Sequence, residues 1–162
     1  MSIFVLYDGV VGECSDNNHK DWQDVDSISW HSSRKITSMA GTRGDRESSN
    51  ATLSNVFIKK YMDKATPKNF LEACCGTGKT VVIRLTKTGS GSGADVFMEY
   101  TLSNALISYY QVEAESQDNV RPVEKVEISF TGLEVKYTPY DEDGCQMPPE
   151  AVAFDTATNT KR

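Results

Sequence analysis

The chain has little of what marks most binding and catalytic proteins. It carries no basic run, and 23 acidic against 17 basic residues leave a net charge of -6. A chain of that sign has no general attraction to nucleic acid or anionic lipid, both of which need basic counter-charge. Long apolar runs are missing. The longest, Ile3 to Tyr7, falls far short of the roughly 20 residues of a bilayer-crossing helix, so membrane insertion is not expected. The first residues lack the basic start, apolar stretch and small-residue cleavage site of a secretory signal. If the protein leaves the cell, the general export route is not the expected one. Metal-ligand spacing is missing too. Cys14, Cys74, Cys75 and Cys145 form no C-x-x-C pair, and His19 and His31 stand apart, which argues against a zinc site. Adjacent Cys74 and Cys75 are poorly placed to bond to each other. Reduced thiols in a protein made in the cytoplasm are expected, with no cofactor.

What is present is a β pattern. The 162 residues are 38% hydrophobic and 25% charged, enough for one soluble domain burying roughly 70% of its unfolded surface. The reading gives a single β-domain over 1–140 and an extended polar tail over 141–162. Ile3 to Tyr7 is a strand closed by the turn pair Asp8 and Gly9. Val25 to Arg34 alternates, with Ile28 and Trp30 on one face and Ser27, Ser29, His31 and Ser33 on the other. Ser38 to Asn50 is a polar loop, long for a compact domain. Leu53 to Met62 is a further strand. Thr66 as N-cap, Pro67 as first helical residue and Gly76 as terminator bound one helix over about 66–75. Its apolar stripe is Phe70, Leu71, Cys74 and Cys75. Val81 to Lys87 and Asp95 to Ser103 form a hairpin around a Gly- and Ser-rich connection, and Asn104 to Val112 continues past a bend. Val126, Ile128 and Phe130 share one face, but after Gly132 the apolar parity flips to Leu133, Val135 and Tyr137. A one-residue shift at glycine reads as a β-bulge, and bulges favour curvature. The expected fold is a small closed antiparallel β-barrel with one side helix and a long projecting loop. Trp30, Phe57, Phe130 and Tyr137 are the large side chains expected to fill its interior.

Two catalytic-looking features are decoys. Residues 73–80 (ACCGTGKT) fall one residue short of the phosphate-binding pattern G-x-x-x-x-G-K-[ST], with Ala73 for the first Gly. That motif needs a strand before it and a helix after it, so that the helix N-terminus meets the phosphate. Here a helix precedes and a β-rich run follows, so a turn is expected. His19 sits among turn residues and is read as packed and locally hydrogen-bonded rather than as a general base. Asp141, Glu142 and Asp143 are a solvated charge run.

Three blocks carry a family resemblance. Residues 4–30 (FVLYDGVVGECSDNNHKDWQDVDSISW), 57–75 (FIKKYMDKATPKNFLEACC) and 100–144, with YTLSNALISYYQV, RPVEKVEISF and VKYTPYDEDG, resemble the Hcp family of type VI secretion tube proteins. Cys14, the charged loop and Phe154 depart from that family's usual residues. The resemblance implies a non-enzymatic homohexamer whose rings stack into a tube inside a contractile sheath. It also implies a VgrG-type spike protein at the tip, effector proteins in the lumen, and export without a signal peptide. On that reading Ser27, Ser29, His31 and Ser33 are the candidate lumen face. Thr42, Arg43, Asp45, Arg46 and Glu47 are the candidate ring-stacking loop. A monomeric β-barrel carrying a small apolar ligand is the alternative, and a nucleotide-using enzyme rests only on the decoy.

Overall fold

Alternation along the chain resolves into fourteen strands and one helix among the described residues, which in this computed structural model are 1–37, 47–89, 91–117 and 119–162. β1 (Ser2–Tyr7), β2 (Gln23–Val25), β3 (Ser27–Ser29), β8 (Val56–Tyr61), β9 (Lys79–Lys87), β10 (Asp95–Glu113), β11 (Val123–Ser129), β12 (Gly132–Tyr137), β13 (Glu150–Asp155) and β14 (Thr160–Lys161) form the main sheet. Every pairing is antiparallel.

β10 organises the fold. Its nineteen residues pair with β9 and β12 along the first half and with β11 along the second. The change of partner falls near Asn104, whose φ of 50° supplies the bend expected there. One path of pairing then runs β2–β1–β9–β10 and on through β11–β8–β3. Its two ends are consecutive in the chain, joined by Asp26 alone, whose N–H bonds to the Lys59 carbonyl at 2.9 Å. No ladder joins β2 to β3, so the hydrogen-bonded sheet is open where a closed barrel was expected.

Residues sharing the inner parity fill the space between the two halves. They include Val5 and Tyr7 of β1, Ile83 of β9, Leu102 and Ile107 of β10, Ile128 of β11 and Ile58 of β8. The space among Val5, Tyr7, Val25, Ile58, Ile107 and Ile128 amounts to about 10 Å³, room for at most one water. Charge is buried here as well. Lys60 Nζ donates to Glu124 Oε2 and Asp63 Oδ1, each at 2.8 Å, and Tyr110 OH donates to Glu124 Oε1. Each buried charge therefore has a partner, the condition under which burial is tolerated.

Several expectations need correction. Val25 to Arg34 is not one strand: it breaks into the end of β2, β3 and β4 (Ser32–Ser33). The parity read around Ile28 survives. Ile28 and Trp30 are half-buried against the core, and Trp30 meets Tyr100 edge-on at 5.7 Å. Of the loop expected at 38–50, residues 38–46 lie outside the described residues, and the described residues on either side pair as a short β-arm. β4 pairs with β7 (Thr52–Leu53), and β5 (Ile36–Thr37) with β6 (Glu47–Ser48). The phase flip at Gly132 is not a bulge within one strand. It is the junction of β11 and β12, which pair with different halves of β10. The tail is partly sheet, since β13 pairs along the whole of β12.

Helix α1 (Thr66–Cys75) lies where expected but is held differently. Ala65 occupies the N-cap with no side-chain bond. Asp63 substitutes: its Oδ1 accepts the Ala65 N–H at 2.9 Å, and its own N–H donates to Thr66 Oγ1 at 3.1 Å. Gly76 ends the helix at φ -68°, so left-handed freedom is not the reason for glycine. A Cβ there would stand 2.4 Å from the Glu72 carbonyl oxygen. The apolar stripe faces outward: Phe70 is 56% and Leu71 48% exposed, and Cys74 and Cys75 are exposed too. The buried face is small and polar, with Asn69 exchanging two hydrogen bonds with Gln23.

Candidate interaction surfaces

The wet face of β3 continues across three more strands. Ser27 stands opposite Lys59 and Ser29 opposite Phe57. Lys59 stands opposite Lys125, which faces Gln111, and Phe57 opposite Glu127, which faces Tyr109. Cross-strand partners share a sheet face, so two rows run side by side: Ser27, Lys59, Lys125, Gln111 and Ser29, Phe57, Glu127, Tyr109. All of them except Gln111 line a shallow groove of about 440 Å³. Lys125 pairs with Glu113 at 3.1 Å, both exposed.

Of the four candidate lumen residues, the fold brings Ser27 and Ser29 together on this face. His31 and Ser33 are exposed but lie beyond it. The His31 N–H donates to Ser54 Oγ at 2.8 Å, and Ser33 pairs with Thr52 in the β-arm. Thr42, Arg43, Asp45 and Arg46 fall outside the described residues. Glu47 opens β6, its backbone paired with Thr37. Sequence reasoning missed Phe57, Lys59, Tyr109, Lys125 and Glu127. Phe57 was expected in the interior, yet it is 40% exposed. The signal was its odd position in Val56–Tyr61, opposite in parity to Val56 and Ile58, which are buried.

A second surface is apolar. Leu102 and Leu133 begin it in the core, and the same face runs outward through Tyr100, Val135 and Tyr137 to Val152 and Phe154. Tyr137 is 49% and Val152 52% exposed, which corrects the expected interior place of Tyr137. Trp30 and Phe130 are half-buried rather than central. With the outward stripe of α1, where Phe70 meets Tyr110 at 6.2 Å, this strip forms apolar surface of the kind that marks contact sites.

The catalytic decoys resolve as structure. Lys79 is the first residue of β9, after α1, and its Nζ pairs with Glu72 Oε1 at 2.6 Å. Among the described residues a strand, and no helix, follows it. His19 is fully buried, stacked on Phe4 at 4.4 Å and edge-on to Trp22 at 5.0 Å. Its Nδ1 lies 2.7 Å from Asp16 Oδ2, a bond that holds the Asp16 carboxyl below the usual carboxylate range. Cys14 is buried, and desolvation pushes its thiol up to about 11, which makes it unreactive.

Residues 4–137 match the family model described as type VI secretion system effector, Hcp. The chain belongs to the Hcp family. With the family comes the role of tube subunit in type VI secretion. Solved structures share the Hcp fold. A structure described as a type six secretion system protein is 24% identical over 99% of both chains, with a TM-score of 0.90. Hcp1 from Salmonella typhimurium is 21% identical over 99% of this chain and 98% of its own, with a TM-score of 0.78. A chain of the anti-feeding prophage baseplate, six-fold symmetrised by cryo-electron microscopy, is 13% identical over 83% of this chain and 90% of its own, with a TM-score of 0.51. No curated protein matches the sequence.

Proposed function

We propose that six copies of this chain form a ring, and that rings stack into a tube inside a contractile sheath, tipped by a VgrG-type spike. The observation that carries this reading is the family match over residues 4–137. Two surfaces fit it. The strip of Tyr137 and Val152 and the stripe of Phe70 and Leu71 suit lateral contacts between subunits, since exposed apolar surface of this kind marks contact sites. The groove of Ser27, Ser29, Phe57 and Lys59 suits the lumen wall, where effector proteins travel. Ring-to-ring contact falls to Thr42, Arg43, Asp45, Arg46 and Glu47, the charged stretch between Ser38 and Asn50. The role is non-enzymatic, and the protein is made in the bacterial cytoplasm and leaves it through this system. The similarity to a chain from a six-fold baseplate supports the ring count. The ligand-carrier reading loses ground because the interior is filled.

Sedimentation velocity with negative-stain microscopy tests the proposal. Six-fold rings that stack at high concentration are expected. A protein that remains monomeric at high concentration contradicts it.

A further inference from the structure

We infer that the groove on the β3–β8–β11–β10 face is a polarised docking site for an extended cargo segment that presents a carboxylate beside an apolar side chain. The inference rests on the lumen assignment proposed above and adds the chemistry of the cargo.

The groove carries an electrostatic cost. Lys59 and Lys125 are direct cross-strand partners on one face, and like charges directly opposite each other destabilise a sheet. Lys125 is relieved by Glu113. Lys59 has no ion pair among the described residues, although it lies on a chain with a net acidic balance. Nothing in the fold needs a lysine there, since the site is exposed. An incoming carboxylate beside Lys59 supplies the counter-charge that Lys125 already has from Glu113, and gains charge-assisted hydrogen bonds.

The next row supplies the other half of the recognition. Phe57 and Tyr109 are 40% and 48% exposed on the same face, flanking Glu127. Aromatic rings presented to solvent in the middle of a sheet offer area at low entropic cost to an apolar side chain. Glu127 sets the direction. It repels a carboxylate from the aromatic end, so an acidic group is confined to the Ser27–Lys59–Lys125 end. Ser27 and Ser29 keep the β3 side low and hydroxylated. The groove therefore discriminates by charge and by polarity along its length, as a binding face does and an inert lubricated wall does not.

The probe is a blocked peptide, Ac-Gly-Asp-Phe-Asp-Gly-NH2, with a control in which lysine replaces both aspartates. Binding to full-length assembled rings is measured by NMR line broadening or calorimetry at 0.15 M salt. The acidic peptide should bind saturably and the basic one at least tenfold more weakly. Lys59→Gln should weaken the acidic peptide about tenfold while leaving ring formation intact and the unfolding midpoint unchanged or raised. Phe57→Ala should weaken it without altering the charge preference. Equal affinity for the two peptides, no measurable affinity for the acidic one, or full affinity in Lys59→Gln each overturns the inference. Imaging the same rings separates this from the proposed function. Ser27 and Lys59 on the outer wall would refute the lumen assignment, whereas absent peptide binding with these residues on the inner wall refutes the docking site alone.

Discussion

β8 and β11 carry two lysine-containing pairs side by side, and they are treated in opposite ways. On the inner face Lys60 stands opposite Glu124, both almost wholly buried and bonded at 2.8 Å. On the outer face, one residue earlier in β8 and one later in β11, Lys59 stands opposite Lys125, both exposed. The inner pair is complementary and closed off, fixed further by Asp63 and Tyr110. It ties β8 and β11 to the turn that starts α1. The outer pair is frustrated and open. A single ladder thus treats charge in two ways: one face specifies the fold, and the other is the face proposed to line the lumen.

The largest effect follows from breaking the inner pair. Glu124→Ala strands a buried ammonium, and removing one partner of such a pair costs about 3–5 kcal/mol. Denaturant unfolding of that variant should show a loss of this size, together with loss of rings. A smaller loss, of about 2 kcal/mol, is expected for Trp30→Ala. Its ring is half-buried against Tyr100, so it forfeits part of the burial of a core aromatic.

The alkaline limb sharpens the inner side. Burial and the hydrogen bond to Glu124 push the Tyr110 hydroxyl upward, and burial raises Tyr7 to about 12. A raised tyrosine is held protonated by the fold. Its contribution is complete below pH 10, the ordinary tyrosine value, and is lost as pH rises through the folded value. Unfolding midpoints should therefore fall from pH 10 towards 12, and Tyr110→Phe should flatten that fall. The smallest effect belongs to the outer side. Lys59→Gln and Ser29→Gln are exposed changes and should shift stability by no more than about 0.5 kcal/mol, with Lys59→Gln shifting it upward. A destabilisation by Ser29→Gln larger than that of Trp30→Ala would mean that the faces are swapped.

Local chemistry made much of this fold legible. The Asp8–Gly9 turn, the Gly- and Ser-rich connection after Lys87, and the helix behind Pro67 all stand where turn and cap residues put them. Alternation through Ile28 gave the faces of β3 correctly. What escaped was set by partners far away in the chain. Lys59 and Lys60 are neighbours of identical chemistry, and only the distant Glu124 turns one of them into a core residue. The outward turn of Phe70 and Leu71 was not legible, because apolar helical spacing is the same for a core and for an external contact. The strand from Glu150 to Asp155 was hidden because its place depends on the free edge of β12. At the candidate site, Ser27 and Ser29 were visible from parity. Lys59, Phe57 and Tyr109 were not, because membership of the groove follows from register across four strands.

The most direct test is a cryo-electron microscopy map of the purified protein at a concentration that favours assembly. The account predicts six-fold rings in which Ser29, Lys59 and Lys125 line the inner wall, while Tyr137 and Val152 are buried between neighbouring subunits. Rings with Lys59 and Lys125 on the outside, or particles that remain monomeric, would contradict it.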